Sequence, residues 1–112
     1  MSGSGTAIVA FSTFADLETA RKVARVLVEE RRVACANVVP QIESIYHWKG
    51  RIESTAEVLV IFKTTRECYA GFEERLRTLH PYEVPEIIAL DLAAGLPAYL
   101  RWIAESVSQA GN

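Results

Sequence analysis

Of the two cysteines and two histidines in this sequence, Cys35 at a strand start and His80 at a helix end are the soft and borderline donors that the rims of a sheet could bring together, whereas His47 beside a turn is expected in solvent. Glu83 follows His80 closely, on a stretch stiffened by Pro81 and Pro85. Thiolate and imidazole are the groups that copper and zinc take most readily, and a carboxylate can complete such a set. Cys35, His80 and Glu83 are therefore the candidate metal ligands. Read as nucleophile and base, Cys35 and His80 would need hydrogen-bond reach and an oriented imidazole, and neither lies in a nucleophile signature. A plainer alternative stands beside both readings: Cys35 as a small buried hydrophobe, and His80 as a helix terminator bonded to a last-turn carbonyl.

A second set is aromatic and charged. Tyr46 and Trp48, two residues apart in a β-favouring run, share one strand face, and each combines an apolar body with one polar atom. Such residues anchor contacts between subunits, and a stacked ligand is the other use of the same rings. Glu57 and Lys63 also share a face, but six residues of strand separate them too widely to touch, so each needs a partner from elsewhere. Tyr82 and Glu86 sit on the proline-stiffened segment, the kind of rigid loop that often carries a ligand site. The carboxylates could serve a divalent ion or pair with Lys63 or Arg51. Tyr46, Trp48, Glu57, Lys63, Tyr82 and Glu86 are thus the candidates for an intersubunit cleft or interface.

The elements that must position these residues can be read from periodicity. Thr6 to Phe11 is β-rich and apolar on both faces, which predicts a central strand. Asp16 can cap a helix running to about Arg32, with Leu17, Ala20, Ala24, Leu27 and Val28 on one side and Arg31 and Arg32 suited to the negative end of its dipole. Ala34 to Trp48 and Arg51 to Lys63, joined by Lys49-Gly50, predict a hairpin. A helix from near Thr65, with Tyr69, Phe72, Leu76 and Leu79 inward, ends at His80-Pro81. Glu86 to Leu92 predicts a last strand, and Pro97 opens a terminal helix reaching Val107, where Trp102, Tyr99 and Ile103 face the sheet or a neighbour.

This order is the split βαβ arrangement of a ferredoxin-like α+β sandwich, with a long β-hairpin and an extra C-terminal helix. Hairpin arms of about 13 residues at about 3.4 Å each reach about 44 Å, longer than a globule with a radius of gyration of about 13 Å would accommodate. The arm must bend or overhang, and Pro40 is the place for a bend. An overhanging arm would expose Ile42, Ile45, Tyr46 and Trp48, and a partner subunit is the simplest cover.

The chain has 112 residues, half of them hydrophobic and 23% charged, which predicts one folded domain over residues 6–112 behind a flexible Ser/Gly lead at 1–5. A net charge of -2 with no long Lys/Arg run predicts no nucleic-acid partner. No apolar run approaches the roughly 20 residues of a membrane span, so no membrane partner is expected. Met1 to Gly5 lacks a basic start and an apolar stretch, which predicts a cytoplasmic protein, and two cysteines without a C-x-x-C pair point to reduced thiols.

Four segments together carry a family resemblance: Ala34-Cys35-Ala36-Asn37-Val38-Val39-Pro40, Ser44-Ile45-Tyr46-His47-Trp48-Lys49-Gly50, Glu57 to Thr64, and His80-Pro81-Tyr82-Glu83-Val84-Pro85-Glu86. The chain resembles the CutA divalent-cation tolerance proteins from Ile8 to about Val107. The resemblance implies a homotrimer of ferredoxin-like subunits whose hairpins pair across neighbours. It also implies divalent-metal binding, copper above all, with no turnover. The implied likeness to nitrogen-regulatory PII trimers keeps a second reading open, a small ligand or nucleotide in the intersubunit cleft. Against a nucleotide, the six glycines form no phosphate loop.

Overall fold

The computed structural model describes residues 6–107, so the lead at 1–5 and the end of the expected domain, 108–112, lie outside the described residues. Within them the order is β1 (Ala7–Phe14), α1 (Leu17–Glu29), β2 (Cys35–Trp48), β3 (Arg51–Thr65), α2 (Tyr69–Leu79), β4 (Ile88–Asp91) and α3 (Pro97–Ser106), with a 3-10 turn at Arg66–Cys68 before α2. The strands form one antiparallel sheet in the order β2-β3-β1-β4. β1 is interior, as its apolar character predicts. β4 is shorter than Glu86 to Leu92: it pairs with β1 only from Ile88 to Asp91, although the Leu92 amide still donates to the Ala7 carbonyl.

Alternation along β1 and β3 sends Ala10, Phe14, Val58, Val60 and Phe62 to one face of the sheet. Ala20, Val23, Ala24 and Leu27 of α1 and Phe72 and Leu76 of α2 close over them. Burying each large side chain contributes about 1.5–3 kcal/mol. Asp16 caps α1 as expected, its Oδ2 accepting the Thr19 amide at 2.9 Å. Val28, by contrast, is 39% exposed, since the inward stripe ends at Leu27. Arg31 and Arg32 also differ from expectation. Arg31 takes the left-handed conformation just beyond α1 (φ 60°), and its guanidinium donates to the Glu105 and Ser106 carbonyls at the end of α3. Arg32 donates to Glu30 and to the Gly71 carbonyl.

On the opposite face α3 crosses β3 and β1, burying Ile103 and setting Tyr99 beside Lys63. Trp102 stays 43% exposed against Tyr99. The rest of that face is open, because β2 and β3 run far past the helices and draw the molecule out to 49 × 27 × 22 Å. Lys49 and Gly50, both at positive φ, join the arms in a two-residue turn, and the register Trp48↔Arg51, Tyr46↔Glu53, Ser44↔Thr55 follows from it.

At Pro40 the predicted bend is a one-residue bulge. Val39 pairs with Leu59 and Ile42 with Glu57, so three steps on β2 match two on β3. Before the bulge, odd-numbered residues of β2 share the open face with Leu59; after it, even-numbered ones share it with Glu57.

Ser12, on the helix-covered face between Ala10 and Phe14, is fully buried with no hydrogen-bond partner for its hydroxyl. Ser12→Ala removes an unpaired polar atom from the core and is expected to raise stability by about 1 kcal/mol in urea unfolding.

Candidate functional site

The bulge decides what the arm presents. Past it, Ser44, Tyr46 and Trp48 alternate onto the open face opposite Thr55, Glu53 and Arg51, in line with Glu57. The segment after α2 then returns across the foot of the arm. Together they enclose a cleft of about 840 Å³ whose walls include Thr13, Tyr46, Trp48, Glu53, Glu57, Tyr82 and Glu86. Tyr46, Trp48, Glu57, Tyr82 and Glu86, drawn from three stretches of sequence, therefore meet. Lys63 does not join them: it lies at the other end of β3, with its Nζ 3.4 Å from the Tyr99 hydroxyl.

Both phenols are tied down. Tyr82 donates its hydroxyl to Glu57 Oε2 at 3.0 Å, and the Tyr46 hydroxyl lies 2.9 Å from Thr55 Oγ1. Burial, followed by the bond to the Glu57 carboxylate and its charge, pushes the Tyr82 phenol up to about 12. The phenol is thus held as a donor at neutral pH. Glu53, Thr55, Thr13 and Ser44 escaped the sequence reading, yet the two-residue turn carries a signal for two of them: counting back from Lys49-Gly50 places Glu53 opposite Tyr46 and Thr55 opposite Ser44.

Tyr82 is positioned by His80. The His80 amide closes α2 on the Leu76 carbonyl, and its ring is buried, stacked on Phe14 with centroids 4.3 Å apart and 13° between planes. Nε2 lies 2.8 Å from the Thr13 carbonyl and Nδ1 accepts the Tyr82 amide at 3.1 Å. A carbonyl only accepts, so Nε2 carries the hydrogen and Nδ1 the lone pair. Both nitrogens are engaged in holding the loop to β1.

Cys35 is half-buried at the start of edge strand β2, its Sγ 4.0 Å from Asn37 Oδ1. It pairs with Lys63, which pairs with Val9, whereas His80 holds Thr13. Val9 and Thr13 are four residues apart, about 13 Å along the strand. One chain thus does not bring Cys35 to His80, and Glu83 is exposed outside the cleft. Among the described residues no three His, Cys, Asp or Glu side chains are grouped to hold a metal ion. The cleft's own charged walls, Glu53, Glu57 and Glu86, are all acidic, the wrong sign for a polyphosphate.

The family described as CutA1 divalent ion tolerance protein matches residues 8–106. Protein CutA of Mus musculus is 46% identical over 111 residues, covering 96% of this chain and 63% of its own length. The divalent-cation tolerance protein CutA of Thermus thermophilus is 47% identical over 89 residues, 80% of this chain and 86% of its own. The crystal structure of CutA1 from Oryza sativa superposes with a TM-score of 0.93 at 35% identity, over 97% of this chain and all of that one.

Burial draws the His80 imidazole below its ordinary 6.5, outweighing the Thr13 carbonyl and the Glu57 charge, both of which favour protonation. The fold therefore prefers the neutral ring. Its contribution is complete above about pH 6.5, where the unfolded histidine is also neutral, and declines as pH falls toward the lowered folded value. Urea melts from pH 8 to pH 5 should show wild type losing stability that His80→Gln does not lose. At pH 8, His80→Ala should cost about 3 kcal/mol through the vacated ring site and the unpaired Tyr82 amide.

Proposed function

The chain belongs to the CutA1 divalent ion tolerance protein family, and on that premise we propose that it acts as a homotrimer that binds a divalent cation, copper foremost, without turnover. The observation that supports self-assembly is the arm, while the number three rests on the family resemblance. The arm overhangs the core, leaves Ile45, Trp48 and Ile52 between 59% and 66% exposed, and borders the open edge of β2. Unpaired strand edges beside exposed apolar side chains are what a second copy covers.

For the metal, the fit within one chain is incomplete. His80 has both ring nitrogens occupied, so it serves the fold. Cys35 is the donor that fits: a half-exposed thiol on an edge strand, where a neighbouring copy can bring further ligands such as Glu83. Copper accepts such a soft ligand readily. Against turnover stands the separation of Cys35 from His80, which leaves the thiol without a base. We place this function in the cytoplasm, the compartment in which a half-exposed thiol such as Cys35 stays available as a ligand.

Metal-stripped protein should run at three times the 12.4 kDa chain mass. At copper a hundredfold above its dissociation constant, stability should rise by about 2.7 kcal/mol. The rise should vanish in Cys35→Ser and persist in His80→Gln. A single-chain mass overturns the assembly, and an equal copper effect in Cys35→Ser overturns the thiol as ligand.

A further inference from the structure

On the premise of the self-assembly that the arm supports, we infer that the cleft of one copy receives the Lys63 ammonium of its neighbour, which pairs there with Glu57. The strands carry two cations, Arg51 and Lys63, both turned to the open face of the sheet. Arg51 is engaged at the tip of the arm, its Nε 3.7 Å from Glu53. Lys63 has only a neutral partner. Its ammonium lies 3.4 Å from the Tyr99 hydroxyl and 5.7 Å from that ring's centroid, and it meets no carboxylate among the described residues.

Glu57 is the counterpart on the same face. It is half-buried, as Lys63 is, its Oε2 accepts the neutral Tyr82 phenol, and no cation pairs with it among the described residues. A charge drawn out of water is costly unless an opposite charge meets it. Within one chain the two cannot meet, since six residues of strand hold them about 20 Å apart. A closed ring of identical copies joins two different patches of the surface, so each chain can give its Lys63 to one neighbour and take another's at Glu57.

The cleft suits that side chain. Its charged walls, Glu53, Glu57 and Glu86, are acidic, while Tyr46 and Trp48 offer ring faces that pack the lysine stem and attract its ammonium. The walls are set before docking: Tyr82 is pinned to Glu57 and Tyr46 to Thr55, and His80 fixes the Tyr82 backbone. Docking then orders little that is not already ordered. Lys49, the cation of the arm's turn, is already laid over Trp48 of its own chain, 5.7 Å from the centroid.

The test is a zero-length cross-link on the intact protein. A water-soluble carbodiimide condenses a lysine amine with a carboxylate only where the two touch, so a link from Lys63 to Glu57 forms only between chains. Denaturing electrophoresis should show a two-chain species, and peptide mapping should find that link in it. Lys63→Arg, which keeps the charge and lacks the amine, should retain the assembled mass and lose the link. In sedimentation, Lys63→Met and Glu57→Gln, whose amide still accepts the Tyr82 hydroxyl, should each weaken self-association by about tenfold, and the double variant little more than either. An assembled protein that yields no such link, or whose association is unmoved in both single variants, overturns the pair and leaves the assembly standing. A single-chain mass for the unsubstituted protein overturns both.

Discussion

One inserted residue governs the working surface of this molecule. Strand alternation is strict, so a strand running without interruption from Cys35 would turn Ile45 and His47 toward the open face and hide Tyr46 and Trp48 behind it. The bulge between Val39 and Ile42 reverses that parity. Glu57 on the unbulged partner strand keeps its phase, and the two aromatic residues come into line with it. The cleft is the product of this phase change together with a loop that returns across the foot of the arm.

That loop is held by a chain of contacts that begins in the core. Phe14 is fully buried, His80 stacks on it, His80 accepts the Tyr82 amide, and Tyr82 reaches Glu57. The imidazole performs its task in the neutral state, which burial enforces. A histidine with a fixed tautomer and two engaged nitrogens is a fastening between secondary-structure elements, and this explains its place at the end of a helix whose last amide hydrogen bond is also its own. Arg31 makes a comparable fastening elsewhere: it accepts a left-handed backbone, costing about 1 kcal/mol, and joins α1 to the last carbonyls of α3.

Much of the fold was legible because the relevant signals are local. The Asp16 cap, the inward stripe of α1 through Leu27, the Lys49-Gly50 turn and the Pro40 bend each need only a few neighbouring residues to declare themselves. The cleft set was legible for a related reason: alternation groups Tyr46 with Trp48, and two prolines stiffen the segment carrying Tyr82 and Glu86. What escaped depends on distances along the sheet. Cys35 and His80 look complementary by chemistry, but register puts one in the row of Val9, across Lys63, and the other at Thr13. Lys63 shares a face with Glu57, yet the sheet carries it to Tyr99 under α3. Nothing in the residue types reveals that both His80 nitrogens are claimed, since one partner is a carbonyl 67 positions away.

The open edge of β2 has a consequence for solubility. A flat run of 14 residues with unpaired amides and carbonyls would template the addition of strand upon strand, the route to fibrils. Pro40 contributes no amide donor to that strand, and the adjoining bulge breaks its spacing. A strand of regular repeat cannot lie along both halves at once. The same irregularity that aims the aromatic side chains also guards the molecule against open-ended aggregation, and it confines edge pairing to a partner whose own contour carries the matching interruption.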